Sequence, residues 1–286
     1  MRNDFFKYHA LGNDYLVIDP NINQINLTSD SIKLICHRNF GIGSDGILYG
    51  PVVERGVIGL KIFNPDGSEA EKSGNGIRIF ARYLFDAGYQ KDKIFQLQTK
   101  GGLVTVEILD DKGETIQVDM GGVTFDSRLI PVNGRPREVV NERLDIDGKE
   151  YKITCLSIGN PHCVIPLDEI SKGLALQLGP NIENDPLFPN RINLQLLKVI
   201  DHNHIQIEIW ERGAGYTLAS GSSSCAAASA AYKLGLVDNL IEVKMPGGVI
   251  NIEIKDDKHV LMTGEVAHVF TGEFTESFWK RLEGFK

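Results

Sequence analysis

Two serines open two similar stretches of the sequence, and both stretches have the residue types of a small-anion site. Residues 73–88 read SGNGIRIFARYLFDAG, and residues 220–235 read SGSSSCAAASAAYKLG. In each stretch Ser-Gly precedes a helix-like run, and a glycine ends that run. The first turn of a helix carries N–H groups without intrahelical partners and a partial positive charge, which suits a carboxylate or a phosphate.

A simpler interpretation makes Ser73 and Ser220 ordinary N-caps, with glycines easing the entry into each helix. A duplicated pair of such loops with charged neighbours favours a site. At the ends of the strands that precede the two stretches, Asn64 matches Glu211, and Arg212 follows Glu211 directly. Arginine offers bidentate recognition of a carboxylate, and glutamate beside asparagine suits an ammonium group. These types together indicate a zwitterionic ligand such as an amino acid.

Two Gly-Asn turns add further candidate donors. Asn13 lies in ALGNDYLVID, and Asn160 and His162 lie in SIGNPHCVIP. Asparagine in a turn also supports tight backbone geometry, and a lone histidine is often structural, so each residue has a structural alternative.

The similar stretches belong to an internal duplication. An offset of 147 residues aligns the two serines, the two Gly-Asn turns and the alternating segments 58–67 and 205–214. An offset of 146 aligns GGLVTVEI at 101–108 with GGVINIEI at 247–254. Each half therefore has strands, a polar loop, a helix of about fifteen residues and further strands, which predicts an α/β or α+β fold. We expect halves at 1–120 and 121–286, with a final strand near 264–275 returning to the first half. We also expect pseudo-two-fold packing that brings equivalent loops together.

The composition disfavours several partners. The 286 residues carry 30 Lys and Arg against 38 Asp and Glu, a formal net charge of −8. Nucleic acids and anionic membranes need a basic surface, and no apolar run approaches the ~20 residues of a membrane span.

The four cysteines form no CxxC pair and no zinc spacing. We expect a cytoplasmic protein with reduced thiols, no metal, and a small-molecule amino-acid substrate. GIGSDG at 41–46 fits GxGxxG, but ILYG after it is strand-like, so no dinucleotide site is predicted.

Five blocks resemble, in order, those of the diaminopimelate epimerase family: GNDYLVID, GIGSDG, FNPDGSEAEKSGNGIR, GNPHCV and ERGAGYTLASGSSSCAAA. The resemblance covers nearly the whole chain. It implies two pseudo-symmetric halves, each with a curled sheet around a central helix, and interconversion of LL- and meso-diaminopimelate without a cofactor. It also implies a possible homodimer. The matched binding positions are Asn13, Asn64, Gly74, Asn75, Asn160, Asn193, Glu211, Arg212, Gly221 and Ser222, with His162 near the site.

The sequence departs from the family at the reacting groups, because Ser73 and Ser220 stand where the family has its two catalytic cysteines. A helix N-terminus lowers a thiol pKa from ~8.5 toward neutrality, but an alcohol starts much higher and needs a partner base. Neighbouring residues such as Lys72 and Ser222–Ser224 also differ from the family. This favours natural divergence over a pair of engineered Cys→Ser substitutions, which would change only the two thiols. Cys163 and Cys225 are predicted to be core residues. Glu71, Lys72 and His162 are the candidate replacement acids or bases. One-base isomerisation, dehydration and binding without catalysis are the alternatives to two-base epimerisation.

Overall fold

The chain divides into two units, each built from a mixed sheet and helices. The computed structural model describes residues 4–54 and 56–284. One unit holds the described residues up to Val118 together with those from Gly264 onward, and the other holds Asp119–Thr263.

The first unit begins with a β-hairpin and is completed by a strand and a helix from the C-terminal end of the chain. Its elements are β1 (Asp4–Ala10), β2 (Asn13–Ile18), α1 (Ser29–Cys36), β3 (Ile47–Glu54), β4 (Val57–Phe63), β5 (Glu69–Ala70), α2 (Gly74–Asp86), β6 (Ile94–Thr99), β7 (Gly102–Ile108) and the start of β8 (Thr115–Gly122). Near the C-terminus β18 (Ala267–Glu273) pairs antiparallel with β1, and α5 (Glu276–Glu283) follows.

The second unit has the same kind of order after an irregular segment. Its elements are β9 (Glu142–Ile146), β10 (Lys149–Ser157), β11 (Pro161–Pro166), α3 (Lys172–Glu183), β12 (Asn193–Asp201), β13 (His204–Glu211), β14 (Gly215–Thr217), α4 (Gly221–Lys233), β15 (Leu240–Met245), β16 (Gly248–Ile254) and most of β17 (His259–Glu265). Within the described residues, none of the helices is long and apolar enough to cross a membrane.

The strand pairing repeats from one unit to the other. The β1–β2 pair is antiparallel, β2–β3 parallel and β3–β4 antiparallel. The β10–β11, β11–β12 and β12–β13 pairs have the same directions. A parallel step then follows in each unit, β4–β6 and β13–β15. The helices α2 and α4 both have 13 residues and begin at aligned glycines. The predicted α+β fold with an internal duplication is therefore confirmed.

One helix forms the core of each unit. Helix α2 packs on β1, β2, β3 and β7, and α4 packs on β10 to β13, β15 and β16. Most residues of both helices are buried, which is typical of a helix surrounded by its sheet. Helix α4 achieves this with small residues, since Ala226, Ala227 and Ala228 are all fully buried. The sheet therefore holds the first turn of each helix in a fixed place.

A glycine in the left-handed region positions the polar turn of each unit. Gly12 has φ +82° and Gly159 has φ +101°, a backbone conformation that side chains disfavour. Asn13 and Asn160 follow these glycines directly. The Gly-Asn motif therefore reverses the chain and places an amide side chain at the turn.

Candidate active site

The second unit presents a serine hydroxyl at the start of α4. Ser220 is the N-cap, and its Oγ accepts a hydrogen bond from the Ser223 backbone N–H at 3.3 Å. The Ser220 side chain is almost fully buried, and the Ser222 hydroxyl lies 3.5 Å from it. The first amides of the helix have no intrahelical acceptor and carry the positive end of its dipole. This end of α4 can therefore stabilise negative charge.

A carboxylate accompanies that hydroxyl. Glu211 ends β13, and its pairing with Gly215 turns the chain back toward α4. Burial raises the pKa of the Glu211 carboxyl, and the nearby Ser220 hydroxyl partly offsets that rise by favouring the ionised form. A carboxylate with a raised pKa is a stronger base than an exposed one, so the second unit contains a hydroxyl with a partner base.

We expected Glu211 to hold a ligand ammonium group, and Glu71, Lys72 and His162 to be the candidate replacement bases. The position of Glu211 beside Ser220 makes it a further candidate base. Glu71 is exposed. The carboxylate beside Ser220 comes instead from a residue nine positions earlier, which the β13–β14 hairpin brings back to the helix start.

Asn160 and His162 form a second group beside the α4 start. The Asn160 Nδ2 donates to the Ser222 hydroxyl at 3.4 Å, and its Oδ1 lies 2.9 Å from the His162 Nε2. His162 is fully buried on β11, and burial lowers its pKa to about 3, with the positive charge of Arg212 acting in the same direction. The imidazole is therefore neutral near pH 7, and its contact with Asn160 fixes the amide rather than supplying a charge.

The buried imidazole should make folding stability depend on pH. Its folded pKa, about 3, lies below the ordinary value of 6.5. Above pH 6.5 the group is neutral in both states, and as pH falls toward 3 only the unfolded chain takes up the proton, so stability is lost. One pKa unit corresponds to about 1.4 kcal/mol. We expect urea unfolding between pH 7 and 4 to show a slope that a His162→Gln variant reduces, and an unchanged slope would contradict the assignment.

The turn that carries Glu211 and Arg212 is held by two buried side chains. Asn193 donates to the Pro161 carbonyl at 2.7 Å and accepts from the Arg212 backbone N–H at 2.9 Å. Glu183 accepts from the Gly213 backbone N–H at 2.9 Å. Both ends of the Asn193 amide are therefore hydrogen-bonded to backbone groups of the protein, and these bonds position the turn.

Three further contacts lie at this turn. Glu183 also accepts from the Trp210 indole at 2.7 Å and pairs with Arg191 at 2.9 Å. The Arg212 guanidinium donates to the Asn190 carbonyl at 2.9 Å, while the side chain stays exposed. Arg212 therefore retains donors on an exposed guanidinium that can contact a ligand carboxylate.

The first unit has an equivalent helix start with a different partner. Ser73 is the N-cap of α2, and its Oγ accepts from the Gly76 backbone N–H at 3.1 Å. The Tyr15 hydroxyl lies 3.3 Å from the Ser73 Oγ. Tyr15 is a buried residue of β2. The hydroxyl in this unit therefore faces a phenol where Ser220 faces a carboxylate.

A polar network fixes the residues around Ser73. The Asn75 Nδ2 donates to the Asn13 Oδ1 at 3.1 Å, and the fully buried Arg78 donates to the Asn75 Oδ1 at 2.8 Å. Asn13 in turn donates to Asp45 at 3.0 Å. Gly74 precedes Asn75 at the buried start of the helix. Asn13 and Asn75 are therefore brought together, and each holds the other in place.

Asn64 lies apart from this network. Its Nδ2 donates to the Ser68 hydroxyl at 3.0 Å, and its backbone N–H donates to the Ser68 carbonyl at 2.8 Å. These contacts close the loop between β4 and β5. The side chain is partly exposed, so it can also reach a ligand.

Sequence reasoning missed Tyr15, Asp45 and Glu183, although the first two had a signal. Tyr15 lies two residues after Asn13, and alternation along a strand places both side chains on one face. Asp45 lies inside GIGSDG, which leads directly into strand β3, as expected from the sequence. Glu183 ends α3, and nothing in its local pattern indicates a contact with residue 213.

The cysteines lie away from both hydroxyls. All four are buried and free, and Cys163 and Cys225 are fully buried core residues as predicted. Burial raises the pKa of the Cys155 thiol well above its ordinary value. Across residues 4–54 and 56–284, no group of three or more His, Cys, Asp or Glu side chains is arranged to hold a metal ion.

Comparison with known proteins gives a family over most of the chain. The family model described as diaminopimelate epimerase matches residues 5–125 and 154–269. A relative named diaminopimelate epimerase 2 from a Nostoc species is 59% identical over 276 residues, covering 96% of each chain. A diaminopimelate epimerase from Acetivibrio thermocellus is 39% identical over 94% of this chain and 97% of its own.

Solved structures show the same fold at low identity. A probable proline racemase from Agrobacterium radiobacter has a TM-score of 0.70 at 14% identity, covering 96% of this chain and 93% of its own. A hydroxyproline epimerase from Agrobacterium vitis has a TM-score of 0.70 at 12% identity, covering 95% and 90%. A phenazine biosynthesis protein from Bacillus anthracis has a TM-score of 0.65 at 17% identity, covering 96% and 99%.

Proposed function

The chain belongs to the diaminopimelate epimerase family, a family of amino-acid isomerases, and we propose that it moves a proton at the α-carbon of diaminopimelate or a close relative without a cofactor. The observation that carries this proposal is the Glu211 carboxyl, with its raised pKa, beside the Ser220 hydroxyl at the first turn of α4. This pair supplies a base where the serine alone would have none.

The chemistry at α4 follows from that pair. The α-carbon proton passes to a carboxylate oxygen of Glu211, directly or through the Ser220 hydroxyl, which gives up its own proton as it receives another. The electron pair of the broken C–H bond moves into the substrate carboxylate. The α4 first-turn amides stabilise the added negative charge, since they point at it without rearrangement. No free alkoxide forms in this scheme, so the high pKa of an alcohol is no barrier.

Two-base epimerisation also needs a group that returns a proton, and the first unit offers Ser73 with Tyr15. A phenol, with an ordinary pKa near 10, is a proton donor at neutral pH. The unequal partners of the two serines also favour a second candidate function, a one-base isomerisation in which Glu211 removes the α-proton and delivers a proton to another carbon of the substrate. When the proton returns to the α-carbon instead, Glu211 delivers it to the face from which it came, so the one-base reaction exchanges hydrogen there without inverting the carbon.

The substrate proposal rests on the relatives and on the zwitterion-binding residue types. The Nostoc and Acetivibrio relatives are both named for diaminopimelate, and they match nearly the whole chain. Arg212 keeps donors for a carboxylate, Asn160 offers an amide at the start of α4, and Asn64 offers a partly exposed amide in the loop between β4 and β5. We propose Asn13, Asn64, Asn160 and Arg212 as substrate contacts, with Asn193 and His162 as positioning residues.

The test is proton NMR of LL- and meso-diaminopimelate incubated with the protein in D₂O. Loss of the α-proton signal with formation of the other isomer is expected for two-base epimerisation. Loss of the signal without inversion would support the one-base reaction. Saturable binding without exchange for diaminopimelate and a panel of amino acids would overturn the proposal and leave an amino-acid-binding protein.

We also propose that the protein is a cytoplasmic homodimer. Its four cysteines are free, which suits a reducing compartment. Strand β18 exposes Val269 and Phe270, two adjacent apolar side chains that a second copy would cover. A mass in solution near twice 31.7 kDa would support the dimer.

A further inference from the structure

A cavity of about 660 Å³ lies wholly within the second unit, away from the start of α4. Its walls are residues 123–128 and 136–138 of the irregular segment, the last turns of α4, and the turn after β16 at 254–258. Ser229, in its floor, is nine residues beyond Ser220, about 14 Å along the helix. The volume falls within the ~300–1,000 Å³ of small-molecule sites.

The floor contains a buried hydroxyl without a partner. Ser229 is 2% exposed, and its Oγ has no hydrogen-bond partner in the part of the chain that the structure describes. Leaving a buried polar atom unpaired costs free energy, so such atoms in folded proteins are rare. Ser229 lines the cavity, and a rotation of its side chain would present the hydroxyl, which solvent does not reach, to a ligand there.

The duplication shows how the cavity arises. The residue that matches Ser229 in the first unit is Arg82, which pairs with Asp86 at 2.9 Å. There the end of α2 packs directly on the matching turn, since a Cβ at Gly113 would lie 2.8 Å from the Phe85 ring and 3.2 Å from the Arg82 Cδ. A serine in place of the arginine leaves open the space that the first unit fills.

The turn after β7 and the matching turn after β16 also differ in the hydrogen bonds that their aspartates make. In the first unit, Asp110 accepts from the backbone N–H groups of Lys112, Glu114 and Thr115, which lower its pKa to about 2 against the effect of burial. Asp256 occupies the same position in the second unit. Among the described residues, Asp256 has no such bond and Lys258 has no ion-pair partner.

The net charge of the cavity lining is positive, whereas that of the whole chain is negative. Five lining residues are Lys or Arg against three carboxylates, whereas acidic residues predominate in the whole sequence. Two of the carboxylates are already paired, Asp126 with Arg128 and Glu138 with Lys233. The Lys233 ammonium also lies 5.3 Å from the centroid of the Phe125 ring. Arg137 and Lys255 have carboxylate partners as well, so within the part of the chain that the structure describes Lys258 is the lining cation without an ion-pair partner, and Phe125 and Ile254 line the same cavity.

We propose that this cavity binds a small organic carboxylate with an apolar body. The ligand's carboxylate would pair with Lys258, its apolar body would cover Phe125 and Ile254, and the Ser229 hydroxyl would gain a hydrogen-bond partner. The proposal does not depend on the reaction at α4, because its residues lie outside that site.

The test uses 4-phenylbutyrate and its neutral counterpart 4-phenylbutanol, titrated by saturation-transfer NMR. The carboxylate is expected to bind saturably and about ten-fold more tightly than the alcohol. Lys258→Gln is expected to weaken carboxylate binding about ten-fold, while Lys112→Gln, in the matching turn of the first unit, leaves it unchanged.

Ser229→Ala separates a ligand contact from a purely structural role. It removes an unpaired hydroxyl, so the melting temperature without ligand should stay the same or rise, while phenylbutyrate binding weakens several-fold. The proposal is overturned if the wild type shows no saturable binding of phenylbutyrate. Binding that both Lys258→Gln and Ser229→Ala leave unchanged would overturn it as well.

Discussion

A Glu211→Gln variant is expected to lose α-proton exchange by about 100-fold to 10,000-fold, the usual contribution of a positioned general base. The glutamine amide can still hydrogen-bond the Ser220 hydroxyl, but it cannot accept a proton from carbon. The side chain keeps nearly the same volume, so the β13–β14 turn should fold as before. The measurement is the initial rate of α-proton loss in D₂O with diaminopimelate at saturating concentration.

The matched control is Glu208→Gln on the same strand. Glu208 is also largely buried, and it accepts a hydrogen bond from the Tyr216 hydroxyl at 2.7 Å, which a glutamine oxygen can also accept. Its exchange rate should stay within a few-fold of the wild type. Equal losses in both variants would point to a general disturbance of β13, and an unchanged rate in Glu211→Gln would remove this carboxylate from the mechanism.

The fold could be predicted from the sequence because the duplication repeats the same order of strands and helix in both halves. The offset that aligns Ser73 with Ser220 also aligns the starts of α2 and α4, and both helices have the same length. A single alternating segment would be ambiguous, but two collinear copies indicate the same strand–helix order. Gly12 and Gly159 illustrate this, since each has a positive φ at its turn.

The partners of the two serines could not be predicted in the same way. The Ser220 hydroxyl meets Glu211 because a hairpin returns the chain, and the Ser73 hydroxyl meets Tyr15 because β2 packs beside α2. Both contacts depend on tertiary packing, and sequence spacing does not encode them. The aligned residue of Glu211 is Asn64, so the duplication itself would predict equal partners, and the structure shows unequal ones. Function has therefore diverged in the side chains that a shared backbone pattern leaves unspecified.

Restoring thiols should have the opposite effect to removing the carboxylate. A Ser73→Cys, Ser220→Cys double variant is expected to raise the rate of epimerisation by about 100-fold or more. A cysteine at a helix N-terminus can have a pKa of ~3.5–7.5, so much of it is thiolate at neutral pH, whereas serine supplies almost no alkoxide. The binding residues around both positions are unchanged, so the gain should appear in kcat more than in KM.

The control for this variant is Ser171→Cys, because Ser171 is also a helix N-cap. It accepts from the Leu174 backbone N–H at 3.2 Å at the start of α3, so it receives the same change in the same local geometry. This control should leave the rate unchanged. Both variants replace serine N-caps with weaker ones, at a cost of about 0.5–2 kcal/mol per cap, so thermal unfolding must first show that each remains folded. A folded double variant no faster than the wild type would mean that more than the two thiols separates this chain from the two-base reaction, and it would favour Glu211 acting alone.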